Sequence, residues 1–413
     1  MARFRWLSVV AAGVLVGVGC SDAQRPHENV QTVVPSTAVP GTSLAATDGE
    51  QVSGLALVQA ADGLLTIDLA SGKSKFVDGL ANADWTRVAS VNKGVAKLVD
   101  AVSQKEMRTA NVPEGLSVAA ISANGSLIAY SDAPEYGHGG LPAPRASTRI
   151  AIVSSWSEGA KVLELKGNMV PEAFSKDGRN VFVLDYVPAM APDHYEVRMV
   201  DINTSAITDV GGRIKAPSPV DEQMQGNART SVYSPDRTML FTLYSEYGEE
   251  GHAFIHALNL DEKWSYCLDL PDSGRFGEGQ ATLAMASDNK LYVIGDSGQI
   301  AQVDAQPYGL TVERTVQLPA ATPVKNRTTA TVDGTQLIVG HDERVFFIDR
   351  STLRLAKTMT MSSAVVGLTA DGHGQVAIAT AKAIDILGTW ADTRRTGLDT
   401  TLPVIVRFGL ESP

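Results

Sequence analysis

From residue 52 onward the chain runs as short apolar stretches broken by turn residues roughly every eight to twelve positions, with almost nothing of helical period. A unit of about forty residues recurs. Its clearest copy begins Thr328-Thr329-Ala330-Thr331-Val332, turns at Asp333-Gly334 and continues through Gln336-Leu337-Ile338-Val339-Gly340. A second turn at His341-Asp342-Glu343 leads into Arg344-Val345-Phe346-Phe347-Ile348-Asp349. After Ser351-Thr352 a last apolar stretch runs from Leu353 to Met359. The pattern predicts four strands joined by three hairpins.

Other copies carry the same punctuation. The first turn is Ala123-Asn124-Gly125, Lys176-Asp177-Gly178, Pro235-Asp236-Arg237, Ser287-Asp288-Asn289 and Ala370-Asp371-Gly372 in successive copies. The third strand tends to end in an Asp before its turn, as at Asp68, Asp201, Asp261 and Asp304. Asn, Asp and Gly are the residues that supply positive φ or an Asx turn to a tight hairpin. Copies begin near residues 52, 82, 116, 170, 228, 280, 326 and 365. The first has no inner strand ahead of Leu55-Ala56-Leu57-Val58, whereas Leu402 to Phe408 is a spare strand after the last. Pairing the two would hide both open sheet edges, which is the need that closure answers. These residues resemble the β-propellers of TolB-like, surface-antigen and lactonase-like (WD40-like) repeat proteins, in which S-x-D-G sits between the first two strands of a blade. The resemblance covers residues 52 to 409 and implies a fold, not an activity. The expectation is an all-β propeller of seven or eight four-stranded blades, eight by the parse above, occupying residues 52–413 and closed by a C-terminal strand.

Composition changes the picture only at its margins. A length of 413 residues would ordinarily suggest two or three domains, but the repeat assigns most of it to one ring. The 37 Gly and 19 Pro then count hairpin turns. With 44% hydrophobic residues the chain has enough apolar content to bury a large core. Two Cys exclude a disulfide-stapled scaffold and a multi-thiolate zinc site. The formal charge of −11 argues against a nucleic-acid partner, which needs a basic face.

The first twenty residues carry an address. Arg3 and Arg5 precede a twelve-residue run, Leu7 to Val18, followed by Gly19-Cys20. As a helix the run would span about 18 Å, against about 30 Å for a bilayer core. It therefore reads as a secretory signal over residues 1–19. Gly17-Val18-Gly19-Cys20 resembles a bacterial lipobox, which implies a lipidated Cys20 as mature N-terminus. It departs from that pattern at Gly17, where Leu or Val is usual, and the alternative is an ordinary signal peptide that happens to contain a Cys. Ser21 stands where Asp would retain a Gram-negative lipoprotein in the inner membrane. Losing residues 1–19 removes two Arg and no acid, so the mature chain carries −13 and its membrane partner would be held by the lipid on Cys20. Residues 20–51, rich in Ser, Thr, Pro, Ala, Asn and Gln, read as a disordered tether reaching roughly 30 Å r.m.s.. The expected location is the outer side of the cytoplasmic membrane, or the outer membrane and periplasm.

Motifs for chemistry are sparse. There is no G-x-S-x-G, H-E-x-x-H, Walker loop or EF-hand loop, and no catalytic residue, cofactor or metal site is assigned. Gly295-Asp296-Ser297-Gly298 has the wrong spacing for a nucleophile elbow and falls in a predicted hairpin. The five Trp do not follow a per-blade docking pattern. Cys267 lies opposite Trp264, Tyr266, Leu268 and Leu270 by strand alternation and reads as a buried, inert thiol. Arg229, heading an inner strand, could face the central channel or pair with a neighbouring acid.

One constellation stands out. Three successive copies have enlarged second hairpins that should project from one face: Ser131 to Gly140, Asp185 to Tyr195, and Tyr244 to His252. They contribute Glu135, Tyr136, His138, Asp193, His194, Glu246, Glu249 and His252, a set able to form a binding surface, to titrate, or to ligate a divalent cation. Solvated loops of ordinary polar composition are the simpler explanation. The expected function is a non-enzymatic binding or scaffold module for a protein, peptide or glycan. The alternative is a propeller enzyme, such as a lactonase-like hydrolase, acting at the central channel.

Overall fold

A computed structural model describes residues 55–59, 63–68, 73–136, 141–212, 224–245, 253–271, 276, 281–319, 328–370, 374, 376–380, 383–387, 393–396 and 405–408, together with two short strands nearer the N-terminus. The described residues form eight four-stranded antiparallel sheets, the blades of a propeller, seven of them from consecutive strands, and no helix. Blades 2 to 8 begin with inner strands Leu80–Ala81, Leu116–Ile121, Asn168–Phe174, Asn227–Tyr233, Thr282–Met285, Thr329–Asp333 and Val365–Ala370. These starts match the repeat parse to within a few residues. In blade 1 the inner position is taken by the C-terminal strand Ile405–Phe408, which pairs antiparallel with Leu55–Gln59 and packs against the inner strand of blade 8. That is the pairing expected of the spare strand.

The hairpins form for the reasons their residues suggest. In blades 3, 4 and 5 the first turn is S-x-N/D-x: the Ser122, Ser175 and Ser234 hydroxyls each donate to Asn124, Asp177 or Asp236, and accept backbone N–H groups from the start of the next strand. Gly125 and Gly178 follow at φ of 67° and 68°, where a side chain would be strained. Burial pushes the Asp177 carboxyl up, but hydrogen bonds from Ser175, Arg179 and Lys263 outweigh it and hold the group down at about 2. Asp201 and Asp349 close third hairpins by accepting from the backbone of Thr204 and Thr352. Gly295 to Gly298 is a hairpin turn, as its spacing implied.

The core lies between blades, not within them. Phe241, Ile255 and Trp264 of blade 5 meet Leu291, Val293 and Val303 of blade 6 in one cluster. Tyr292 and Ile294, on the other face of blade 6, pack with Leu337, Val339 and Phe346 of blade 7. Second strands are therefore apolar on both faces: all seven residues of Met239–Ser245 are buried. Outer strands alternate instead, as in Ala160–Lys166.

Among the described residues three outer edges carry an extra parallel strand. Gly211–Gly212, from the long connection ahead of blade 5, runs beside Trp264–Asp269. Val30–Thr32 and Thr42–Ser43, within the segment expected to be a tether, pair with the outer strands of blades 6 and 7. Cys20 and the rest of residues 1–54 lie outside the described residues.

Removing the strand after residue 404 should leave Leu55–Gln59 as an open edge. Thermal unfolding is expected to fall by about 5 °C or more, with association visible by size-exclusion chromatography. An unchanged monomer with the parent melting curve would contradict this closure.

Candidate functional site

The enlarged second hairpins leave blades 3, 4 and 5 at the same end of their sheets, since each joins a blade's second strand to its third: Leu127–Asp132 to Ser147–Ser154, Asn180–Val187 to His194–Asp201, and Met239–Ser245 to Ala253–Asn259. Within them Tyr136 forms an isolated bridge with Pro142 and is 56% exposed, and Met190 is 61% exposed. Arg145 ties two of these loops together. Its guanidinium donates to the Asp132 carbonyl at 3.0 Å and to the Met169 carbonyl at 2.9 Å, and its backbone N–H donates to Ala189 O. Asp132 is otherwise engaged by Arg149, at 2.6 Å through the guanidinium and 2.9 Å through the backbone N–H.

Beneath this rim lies a row of phenols. Tyr186 and Tyr195 face each other across blade 4, and Tyr244 and Phe254 do so across blade 5. The two pairs meet between the blades, with ring centroids 5.7 Å apart for Tyr186–Tyr195, 5.6 Å for Tyr195–Tyr244 and 5.3 Å for the stacked Tyr244–Phe254. The Tyr186 hydroxyl lies near Tyr136 of the rim. Desolvation pushes the Tyr186 hydroxyl up and the fully buried Tyr195 and Tyr244 hydroxyls further still, so all three remain neutral.

The row ends on a buried acid and base. Glu172 is the extra residue of a β-bulge in the inner strand of blade 4, where the register with the second strand shifts between Pro171 and Ala173. The bulge aims its carboxyl at blade 5, where the Tyr244 hydroxyl donates to it over 3.5 Å. His256, on the third strand of blade 5, stands with its Nδ1 at 3.9 Å from the same carboxyl oxygen and its ring edge-on to Tyr244. The His256 side chain is fully buried and that of Glu172 keeps 12% exposure. Neither His256 nitrogen nor Glu172 Oε2 has a hydrogen-bond partner among the described residues. Desolvation raises the Glu172 carboxyl to about 7, against weak lowering by Tyr244 and Thr242, and lowers His256 to about 4. Near neutrality the imidazole is uncharged and the carboxyl is poised between its two forms.

The residues expected to form a surface fare unevenly. Glu135 and Tyr136 sit together on the blade 3 rim, and Tyr136 reaches blade 4 through Tyr186. Asp193 and His194 pair with each other, the carboxylate exposed and the imidazole largely covered. His138, Glu246, Glu249 and His252 lie outside the described residues. No group of three or more His, Cys, Asp or Glu able to hold a metal ion occurs among the described residues. Arg229 occupies a bulge in the inner strand of blade 5, further from the first hairpin than the one at Glu172 in blade 4, and its Nε donates to Ser245. Cys267 corrects the expectation of full burial. It is half-buried, its thiol 3.7 Å from Met224 Sδ. Its predicted orientation holds: Cys267 faces blade 4 while Tyr266 and Leu268 face blade 6.

Glu172 and His256 were the residues missed. Their sequence signal is a lone ionisable group inside an apolar run, Asn168 to Phe174 and Ala253 to Leu260. Such a signal names neither the partner nor the distance between them.

The sequence matches no protein-family model and no curated protein. Among solved structures it is similar to two structures of AztD from Citrobacter koseri, one of them the apo protein, each 12% identical, covering 87–88% of this chain and all of that one at TM-scores of 0.51 and 0.50. The periplasmic gluconolactonase PpgL of Pseudomonas aeruginosa is 16% identical over 86% of this chain and 98% of its own, with a TM-score of 0.44. At these identities the likeness establishes the propeller fold alone. No helix among the described residues is long and apolar enough to cross a membrane.

The Glu172–His256 pair has a defined linkage. A raised carboxyl favours folding fully below 4.5 and loses that benefit as pH climbs through about 7; a lowered imidazole favours folding above 6.5 and loses it as pH falls through about 4. Between 4.5 and 6.5 the two slopes cancel. The unfolded chain there carries an ionised Glu172 and a protonated His256, the folded chain carries both neutral, and no net proton is exchanged. Glu172→Gln removes one slope. Its stability relative to the parent should rise by about 3 kcal/mol between pH 4.5 and pH 7.5 in equilibrium denaturation. A pH-independent difference would refute the buried-acid assignment.

Proposed function

We propose that this protein is an extracytoplasmic, lipid-anchored propeller that binds a protein, peptide or glycan without acting on it chemically, using the rim of blades 3 to 5. The observation that carries the reading is the coincidence of three enlarged hairpins in adjacent blades with exposed Tyr136 and Met190 set over a packed aromatic layer. Exposed aromatic and Met side chains held on a rigid base lose little entropy on binding, the usual property of interface anchors. Residues 1–19 serve as a signal, Cys20 as the lipid attachment point and the stretch between Cys20 and Val30 as the spacer from the membrane, the strands Val30–Thr32 and Thr42–Ser43 being paired with blades 6 and 7. Support for the anchor comes from the sequence of the first twenty residues.

A second reading has one observation in its favour. Glu172, on an inner strand, has a carboxyl raised to about 7, where a general acid or base works best. A hydrolase acting on lactones from the central channel would use it. Turnover of a lactone panel that Glu172→Gln abolishes would establish that reading; a panel left unhydrolysed favours binding.

Two measurements test the main reading. Cys20→Ser should move the protein from the membrane to the soluble fraction of a bacterial host and end labelled fatty-acid incorporation. Tyr136→Ala combined with Met190→Ala should weaken retention of the partner crosslinked to the parent protein by ten-fold or more, with the melting curve unchanged. Equal retention by the double variant would remove the rim from the binding surface.

A further inference from the structure

The N-terminal segment does more than link an anchor to the ring. Val30 to Thr47 carries no charge and is rich in Val and Thr, with Pro35, Pro40 and Gly41 in its middle. β-Branched residues favour extended backbone and Pro interrupts pairing, so such a run can form two short strands but not one long one. Val30–Thr32 lies parallel to Thr315–Gln317 on the outer edge of blade 6, and Thr42–Ser43 lies parallel to Met359–Thr360 on the outer edge of blade 7. The chain is thereby fastened to two adjacent blades before it enters blade 1 at Leu55.

Fastening shortens the spacer. Val30 is ten positions from Cys20, which allows about 17 Å r.m.s. as a flexible coil and about 35 Å at full stretch. A domain of this length is roughly 50 Å across, so an anchor at Cys20 stays on the side of the ring where the strands lie. The charge of the molecule is divided in the same sense. Residues 55–308, which run from blade 1 to the third strand of blade 6, hold 32 Asp and Glu against 21 Lys and Arg, a net −11. Residues 309–413 hold 10 against 11, a net +1. The outer strand of blade 7, Arg354–Thr360, contains no acid and exposes Arg354 and Lys357, the latter with its ammonium over the Phe347 ring, 5.5 Å from the centroid. Tyr308, at the third hairpin of blade 6, is 73% exposed, and Tyr suits headgroup depth. An anionic lipid surface therefore repels most of the ring and spares the side that carries the N-terminal strands.

We propose that the outer edges of blades 6 and 7 are the membrane-facing side of the propeller, with an anionic phospholipid surface as their partner. The N-terminal strands bring the lipid on Cys20 to that side, and the charge of the remaining blades keeps them away from it. The acyl anchor holds the protein at the bilayer; strand pairing and charge decide which way the ring faces. Blade 3, three blades round the ring from blade 6, then presents Tyr136 away from the headgroups, where a partner can reach it. The orientation rests on Cys20 being the lipid attachment point, but a lipid attached chemically at that residue makes it measurable whether or not the cell acylates it.

Energy transfer on vesicles tests it. The chain from Cys20 onward, carrying Cys267→Ser, is coupled through the Cys20 thiol to a maleimide lipid in vesicles whose headgroups bear an acceptor dye. A fluorescent amino acid replaces Thr311, exposed on the outer strand of blade 6, or Val162, exposed on the outer strand of blade 3. On phosphatidylcholine vesicles transfer should be at least two-fold more efficient from position 311 than from position 162. Adding phosphatidylglycerol should raise that ratio to three-fold or more. Replacing residues 30–43 by Gly and Ser at equal length removes both strand pairings and should abolish the difference on phosphatidylcholine. Arg354→Glu with Lys357→Glu should lower the ratio on the mixed vesicles and leave it unchanged on phosphatidylcholine alone. Equal transfer from the two positions in the parent would overturn the proposal. So would a difference that the Gly-Ser chain retains on phosphatidylcholine, or a ratio on mixed vesicles that ignores the two charge reversals. Failure of the anchor is read separately: Cys20→Ser remaining in the membrane fraction of the host would remove natural acylation and leave the vesicle result standing.

Discussion

A four-stranded antiparallel blade in this protein has no core of its own, and every other feature follows from how that is resolved. Its second and third strands are apolar on both faces, as the fully buried Met239–Ser245 and Ala253–Asn259 illustrate, so each blade must bury one face against each neighbour. Phe241 packs towards blade 6 and Tyr244 towards blade 4 from adjacent turns of the same pleat. The requirement propagates around the chain until the C-terminal strand Ile405–Phe408 joins Leu55–Gln59. Sheet-on-sheet packing between neighbours is thus the constraint on which both ring and site depend.

The same constraint explains where polar chemistry can occur. An interface between blades is dry, and an ionisable group placed there must either find a partner or shift its protonation. Glu172 and His256 do the latter, each driven towards its neutral form by desolvation. The bulge at Glu172 is what admits the carboxyl, because an extra residue in the inner strand turns a side chain out of the regular alternation. Blade 5 has its own inner-strand bulge, placed further from the first hairpin, and the Arg229 it carries meets Ser245 instead. The ring reuses a backbone device at different heights and with different residues.

The rim inherits its order from below. Arg145 bridges the carbonyls of Asp132 and Met169, joining blades 3 and 4, and the phenols of Tyr186, Tyr195 and Tyr244 form a continuous surface beneath the hairpins. A loop resting on a packed aromatic layer can present Tyr136 with little freedom to lose. Loop length and composition were visible in the chain; the layer under them was not.

The architecture was legible because its determinants are local. Hairpin chemistry at Ser122-Ala123-Asn124-Gly125, Ser175-Lys176-Asp177-Gly178 and Ser234-Pro235-Asp236-Arg237, the apolar second strands, and the spare strand at the C-terminus each act within a few residues, and together they specify eight blades and their closure. Cys267 could be assigned a face by alternation alone, though not its half-burial or its contact with Met224, forty residues away. Glu172 and His256 are separated by 84 positions and lie on different blades; each reads singly as an oddity in an apolar run. Only the packing of blade 4 on blade 5 brings them to 3.9 Å and strips their water, and desolvation is a property of the assembled interface that no stretch of sequence carries by itself.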